Sequence, residues 1–366
     1  MKKLTLLFLF LFIGLEAVYS QKKVLIVISG YGKEKGKIRP GFELDELSQA
    51  YHIFKKHKIQ IEIASPQGGK VEADGFSTKK PYNKAFIEDS AAVNLLKNTK
   101  STAQVLKNDY DALYVVGGKG AMFDLPFDPS LQDLVLKMSN QNKIISAVCH
   151  GAAAFVNVKV NDSTFFVQNR KITGLCNAEE TRFGKKWMKE FPFLLETKLI
   201  ERKAKYEQTE VMLPLVVKDD NLITGQNPYS TNLVAEEIVK ALGLELQSRE
   251  QYKDEKALHL VKKALNGGYD WAVNELKSNH SQYDMELMAI YGYYGLLFAN
   301  GNEAELKKSL SIVEMAAPYY FNEKLQMERA KAHKSLGEKQ KAKTLLEELI
   351  QKKLLVDESK KMMAEL

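Results

Sequence analysis

The chain has 366 residues, 45% hydrophobic and 27% charged, an ordinary globular balance with room for about two domains. Its formal charge of +7 is scattered among acids, with no aromatic-studded basic strip, so nothing points to nucleic acid as a partner. Only two cysteines are present, Cys149 and Cys176; they could pair in an exported protein, but Cys149 has a better use, developed below.

Met1-Lys2-Lys3 is a short basic start, Leu4 to Val18 is nearly all apolar, and Val18-Tyr19-Ser20 places small residues before Gln21. This is the layout of a cleaved secretory signal peptide over residues 1–20, with an apolar run short for a membrane span. The expectation is an exported protein, periplasmic or secreted, with an uncleaved N-terminal anchor as the alternative. Removing the segment takes two lysines and one glutamate with it and leaves a charge of about +6.

Next comes "KKVLIVIS" (Lys22 to Ser29), a continuous apolar run of buried-strand type. Helical spacing follows from Phe42 to Lys58. "IQIEIAS" (Ile59 to Ser65), "YDALYVVGG" (Tyr110 to Gly118) and "KIISAV" (Lys143 to Val148) read as further strands. So do Lys171–Gly174, Leu213–Val217 and Asn221–Thr224. Strands alternating with helices predict an α/β fold with a mainly parallel sheet covered on both faces. Ligands of such sheets bind at the carboxyl ends of strands, where Gly117-Gly118 and Cys149 fall. Past about Gln247 proline nearly vanishes and Lys, Glu, Leu and Ala take over at helical spacing. Gly267, Gly301 and Gly337, 34 and 36 residues apart, each follow an apolar helical stretch, and this resembles degenerate tetratricopeptide repeats. An unrelated helical bundle is the alternative. The organisation expected is therefore a signal at 1–20, an α/β domain at 21–247 and an all-α domain at 248–366.

The chemistry centres on Ala147-Val148-Cys149-His150-Gly151, which has the small-x-nucleophile-x-Gly arrangement of a strand-to-helix elbow. A helix starting at Cys149 would favour thiolate through its unpaired N–H groups and dipole. His150 is the only histidine between Cys149 and residue 250, so it is the natural partner if the cysteine works with one. A papain-like hydrolase or glutamine amidotransferase needs a distant histidine, which argues against amide hydrolysis as the main activity. Gly117-Gly118 would bring backbone N–H groups close to a developing oxyanion.

Several spaced motifs resemble the ThiJ/PfpI superfamily, flavodoxin-like relatives of class I glutamine amidotransferases. They are "GFELDEL" (Gly41 to Leu47), "IASPQGGKVEAD" (Ile63 to Asp74), "YDALYVVGGKGAMFDL" (Tyr110 to Leu125), "AVCHGAAAF", "ITGLCNAEE" (Ile172 to Glu180) and "LITGQNPYS" (Leu222 to Ser230). The set looks most like the branch holding glutathione-independent glyoxalases (glyoxalase III) and heat-shock holding chaperones. The resemblance implies Cys149 as nucleophile and His150 as its proton-transfer partner. It implies Glu180 as the acidic third member, with Glu179 a near competitor, and Glu46 as a protonated carboxyl donating to the sulfur. Two anions cannot share a dry site, so Glu46 should have a raised pKa. Relatives often carry histidine where this chain has Lys119, so a metal or supporting role for that histidine is lost or replaced, and no metal is expected. Lys119 could attract an anionic or dicarbonyl substrate or stand as a solvated loop lysine.

The reading is a cysteine-dependent glyoxalase III-like lyase that converts 2-oxoaldehydes such as methylglyoxal to hydroxy acids without a cofactor. An exported holdase or interaction protein, with the helical domain docking a protein partner, is the second reading. A cysteine peptidase or amidase ranks third, and a homodimer stays open. Intact-mass measurement on exported material should give a mature chain beginning at Gln21; a mass retaining Met1 to Ser20 would sink the export reading.

Overall fold

The computed structural model describes residues 21–366, and the leader read at 1–20 lies outside the described residues. In chain order the strands of the main sheet are β1 Lys23–Val27, β2 Gln60–Ser65, β3 Lys100–Ser101, β4 Ala112–Val115, β5 Ile144–Val148, β6 Val216–Asp219 and β7 Leu222–Gly225. Across the sheet they lie in the order β6-β7-β5-β4-β1-β2-β3. Every neighbouring pair is parallel except β6 and β7. This is the expected flavodoxin-like architecture. The apolar runs are continuous because both faces are covered: Leu25 and Val27 enter one core, Val24 and Ile26 the other.

Two predicted strands change. Only Lys171–Ile172 of the expected Lys171–Gly174 strand is extended, and it pairs with Lys205–Tyr206 in a separate two-stranded ribbon. The place beside β7 is taken by β6, so no edge remains there for it. The run at Leu213 becomes a strand only at Val216, because Pro214 cannot donate a ladder hydrogen bond.

The chain leaves β1 toward β2 and β3, then returns to place β4 on the other side of β1. That reversal opens a crevice at the carboxyl ends of β1 and β4. Three helices bear on it or on the sheet face beneath: α1 Leu44–Lys56, α2 Asn177–Phe183 and α3 Thr231–Ala241. Helix α1 buries Leu47, Ala50, Ile53 and Phe54 against the sheet, and this fixes the direction of its first turn, where Glu46 sits.

Beyond Lys253 the regular elements are helical. Helices α4 Lys253–Lys263 and α5 Tyr269–Asn279, α6 Met285–Leu297 and α7 Glu303–Ala316, and α8 Glu323–Ser335 and α9 Lys339–Gln351 make three helix–turn–helix units, followed by α10 Val356–Ala364. Each unit turns at one of the three spaced glycines, Gly267, Gly301 and Gly337, with φ of +91°, +77° and +77°. A side chain there would be strained by the backbone rather than by neighbours, since nothing lies within 4 Å of an added Cβ. No helix among the described residues is long and apolar enough to cross a membrane.

The helical part does not stand apart, as the charged stretch from Ser248 to Lys256 leads one to expect. Met212 and Leu213 of the α/β part share one apolar core with Leu258, Val261, Met288 and Tyr291. Tyr82 Oη donates to Asp254 at 2.7 Å, Tyr291 Oη donates to Glu210 at 3.0 Å, and the Phe183 and Tyr294 rings meet edge to face. The charged lead-in is itself tied down, since Arg249 pairs with both Glu236 and Glu255. Removing residues after Gln247 would expose the buried Met212 and Leu213, each worth about 1.5–3 kcal/mol, and further uncover the partly buried Phe183 and Tyr229. Such a truncated chain should aggregate or melt well below the full chain, read by size-exclusion chromatography and thermal unfolding. A soluble fragment with an unchanged melt would mean that the shared core contributes little.

Candidate active site

The end of β5 drives Val148 into a sharp turn at Cys149, whose φ of +57° lies in the left-handed region. For a residue with a Cβ this conformation is strained, on the order of 1–3 kcal/mol, and is held by its surroundings. Gly151 makes the turn feasible, since a Cβ there would sit 2.5 Å from the Val115 carbonyl oxygen. The turn continues as a 3₁₀ helix over Cys149–Phe155, not the longer α-helix expected from the sequence. The macrodipole argument is therefore weaker than expected; what faces the thiol locally is the His150 backbone N–H.

His150 Nδ1 stands 3.6 Å from Cys149 Sγ, and its Nε2 stands 2.6 Å from Glu180 Oε2. A carboxylate accepts, so Nε2 carries the hydrogen and Nδ1 is left to take a proton from the thiol. The Phe191 ring packs edge-on against the imidazole at 5.6 Å. Of the two adjacent acids, Glu180 touches the histidine, and Glu179 points elsewhere. Glu179 accepts from the Met212 N–H, the Asn227 and Gln226 amides and the Cys176 N–H, and so holds three chain segments together. Gly184 leaves room for Glu180: a Cβ at that position would lie 2.3 Å from Glu180 Oε1.

Beneath the sulfur lies Glu46, fully buried. Its Oε2 accepts the Gly117 N–H at 2.6 Å, and Tyr114 Oη donates to its backbone carbonyl at 3.1 Å. Burial, and then the charge of Glu43, push the Glu46 carboxyl well above its ordinary range, while hydrogen bonds from Gly117 and Cys149 pull the other way. Burial, and then the Glu46 charge, push the Cys149 thiol up as well. The two groups cannot both be ionised in so dry a site. With Glu46 neutral, its charge no longer opposes the thiolate and its carboxyl can donate to sulfur. The low thiol pKa expected from the sequence is not found: burial and the Glu46 charge outweigh the His150 backbone N–H and push the thiol up.

Gly117 and Gly118 divide their work. Gly117 does not face the cleft: its N–H is taken by Glu46, and a Cβ would meet the Glu46 carboxyl at 2.8 Å. This corrects its expected place in an oxyanion pocket. Gly118, with φ of +92°, lines the cleft beside Cys149, as does Lys119. Burial pushes the Glu43 and Asp74 carboxyls up, and the nearby Lys119 ammonium opposes this only in part. Burial and Asp45 nevertheless bring Glu43, itself a cleft residue, up to about 7.

Cys176 does not pair with Cys149; both thiols are free. Its sulfur accepts the Glu179 N–H at the start of α2, and burial with the Glu179 charge pushes the thiol up to about 12. Among the described residues no group of three or more His, Cys, Asp or Glu side chains is placed to hold a metal ion.

The cleft above Cys149 measures about 660 Å³, and its far wall comes from the helical part, including Ile290, Tyr293, Tyr294, Tyr320 and Leu325. Sequence reasoning missed this wall because it lies more than a hundred residues from Cys149 and carries no motif. Phe191 and Gly184 were missed too, although the spacing of Gly184 four residues after Glu180 is a helical i,i+4 relation that could have drawn attention.

The DJ-1/PfpI family model matches residues 37–241, more than half of the chain, and the chain belongs to that family. The match ends before α4, so the helical part lies outside it. Glyoxalase 3 of Candida albicans is 28% identical over 234 residues, spanning 60% of this chain and 98% of that protein. Glutathione-independent glyoxalase hsp3102 of Schizosaccharomyces pombe is 29% identical over 243 residues, with the same coverage of 60% and 98%. Among solved structures, Rapid Encystment Protein 24 kDa of Francisella tularensis is 33% identical, with a TM-score of 0.57 over 61% of this chain and 99% of that one.

Glu46→Gln keeps a neutral donor at the sulfur and an acceptor for Gly117, so Cys149 alkylation should stay within about threefold of the parent. Glu46→Asp withdraws the donor and should slow it about tenfold or more, the equivalent of one pKa unit. Stopped-time alkylation with peptide mass mapping reads both rates and should find Cys149 labelled before Cys176. Faster labelling of Cys176, or equal rates for the two variants, would contradict this account of the site.

Proposed function

We propose that the protein is a glutathione-independent glyoxalase that converts small 2-oxoaldehydes, methylglyoxal among them, to 2-hydroxy acids. The observation that carries this is the contact chain from Cys149 Sγ through His150 to Glu180, seated over the buried Glu46 carboxyl at the floor of a cleft. The names of the Candida and Schizosaccharomyces relatives support it.

The thiol proton passes to His150 Nδ1 and the sulfur adds to the aldehyde carbon, giving a hemithioacetal. The Gly118 N–H faces the new oxyanion, with Lys119 nearby to attract a dicarbonyl. His150 then moves the proton from the former aldehyde carbon, by way of an enediol, to the neighbouring carbon. The first carbon reaches thioester level as the second falls from ketone to alcohol, so the electrons balance within the substrate. Water cleaves the thioester, releasing the hydroxy acid and restoring the thiol. Glu180 keeps the imidazole oriented throughout. Peptide hydrolysis is less well served, since the histidine is held by Glu180 and adjoins the nucleophile in the chain. Export of the mature chain forms part of the proposal and rests on the leader alone.

Purified protein should produce lactate from methylglyoxal without glutathione. Cys149→Ala should abolish it, and Glu180→Gln should lower kcat by about 10²-fold or more, in the range of a lost general-base contribution. Lactate formation that survives Cys149→Ala would remove the covalent route.

A further inference from the structure

The cleft over Cys149 is far larger than methylglyoxal requires. Its volume of about 660 Å³ lies among pockets of roughly 300–1,000 Å³ that enclose drug-sized ligands. Methylglyoxal has only a methyl group beyond its carbonyls and would fill the floor alone. The remaining space has a definite chemistry. At the floor are the thiol, the imidazole and Gly118; at the rim are exposed charges of both signs, Glu286 and Lys324. Between them the α/β side adds polar groups, Glu43, Lys119 and Asn227, while the facing helical wall is mainly aromatic and aliphatic.

Those walls are also fixed in place. The Tyr294 ring meets Phe183 edge to face at 5.1 Å, and Tyr293 meets Tyr294 at 5.7 Å in the same manner. Edge-to-face contacts lock the rings relative to one another, so the surface is preformed. Tyr320, farther out, donates to Glu286 at 3.2 Å and closes the wall toward the rim. Tyr229 faces them from the α/β part, on the segment that Glu179 anchors through Asn227.

We propose that this tyrosine wall, supplied by α6 and the α7–α8 connection, is a specificity subsite for 2-oxoaldehydes whose carbonyl pair is carried on an aromatic ring. The ring lies against Tyr293 and Tyr294 while the aldehyde reaches Cys149. An aliphatic chain would gain burial there, but a ring also gains stacking or edge contact with preformed aromatic faces. The inference rests on the carbonyl chemistry proposed above, and the bond-making steps are the same.

The test uses the full chain and two independent readouts. The first is the ratio of kcat/KM for phenylglyoxal to that for methylglyoxal. The second is the ratio of Cys149 alkylation rates by N-benzyliodoacetamide and iodoacetamide, which requires no aldehyde turnover. Tyr294→Ala should lower both ratios about tenfold, corresponding to about 1.4 kcal/mol. Tyr293→Ala should lower them in the same direction, and Tyr294→Leu, which keeps bulk without a ring, should fall between the parent and Tyr294→Ala. If the parent turns over both aldehydes but neither ratio responds to these substitutions, the subsite is wrong and the reaction stands. If no aldehyde is turned over while the alkylation ratio still collapses in Tyr294→Ala, the reaction is wrong and the aromatic subsite stands.

Discussion

A carboxyl group buried beside a buried thiol is the constraint on which the rest of this site depends. Both acids are almost entirely enclosed, and two charges there would repel with little screening, so they cannot both be ionised. The fold pushes the Glu46 carboxyl well above its ordinary range by enclosing that side chain completely and placing Glu43 near it. Gly117 must lack a side chain so that its N–H can reach the carboxyl, and α1 must start at a fixed height above the sheet. Cys149 must take a left-handed backbone so that its sulfur meets the same point from the end of β5. The strain of that turn is retained because the packing around it leaves no relaxed alternative.

The second structural decision is the roof. A parallel sheet offers a crevice at its carboxyl edge but cannot close it alone. Here the helical units lean over the crevice and share a core with the Met212–Leu213 segment, so the space above Cys149 is bounded in part by residues outside the matched family region. The same core explains why α2, Glu179 and the Asn227 segment are so firmly linked. Glu179 joins the sheet domain's loops beneath the roof, and Glu180, one residue on, orients the His150 imidazole. Adjacent acids on one short helix therefore serve cohesion and chemistry separately.

Much of the α/β part was legible in the sequence. Uninterrupted apolar runs such as Leu25–Ile28 and Ile144–Val148 can belong only to elements covered on both sides, and their alternation with helical spacing leads to a parallel sheet. The elbow at Cys149, the carboxyl of Glu46 and the choice between Glu179 and Glu180 were readable as a short set of candidates, because local spacing and the family resemblance limit them. The three spaced glycines marked three turns correctly, since each requires a positive φ within a run of helix formers.

Other features were decided only in three dimensions. Which glutamate touches His150 depends on how α2 sits against the elbow, and one residue along a helix turns a side chain by about 100°. That Gly117 serves Glu46 rather than substrate depends on a contact between residues 71 positions apart. The Tyr293–Tyr294 wall and the shared core leave no periodic trace at all, because helical spacing reports that a face is buried and not what it is buried against. Sequence alone therefore determined the sheet, the turns and a short set of candidate site residues; the contacts around the Glu46 carboxyl and the shape of the space above the thiol came from packing between distant segments, where local pattern has no information.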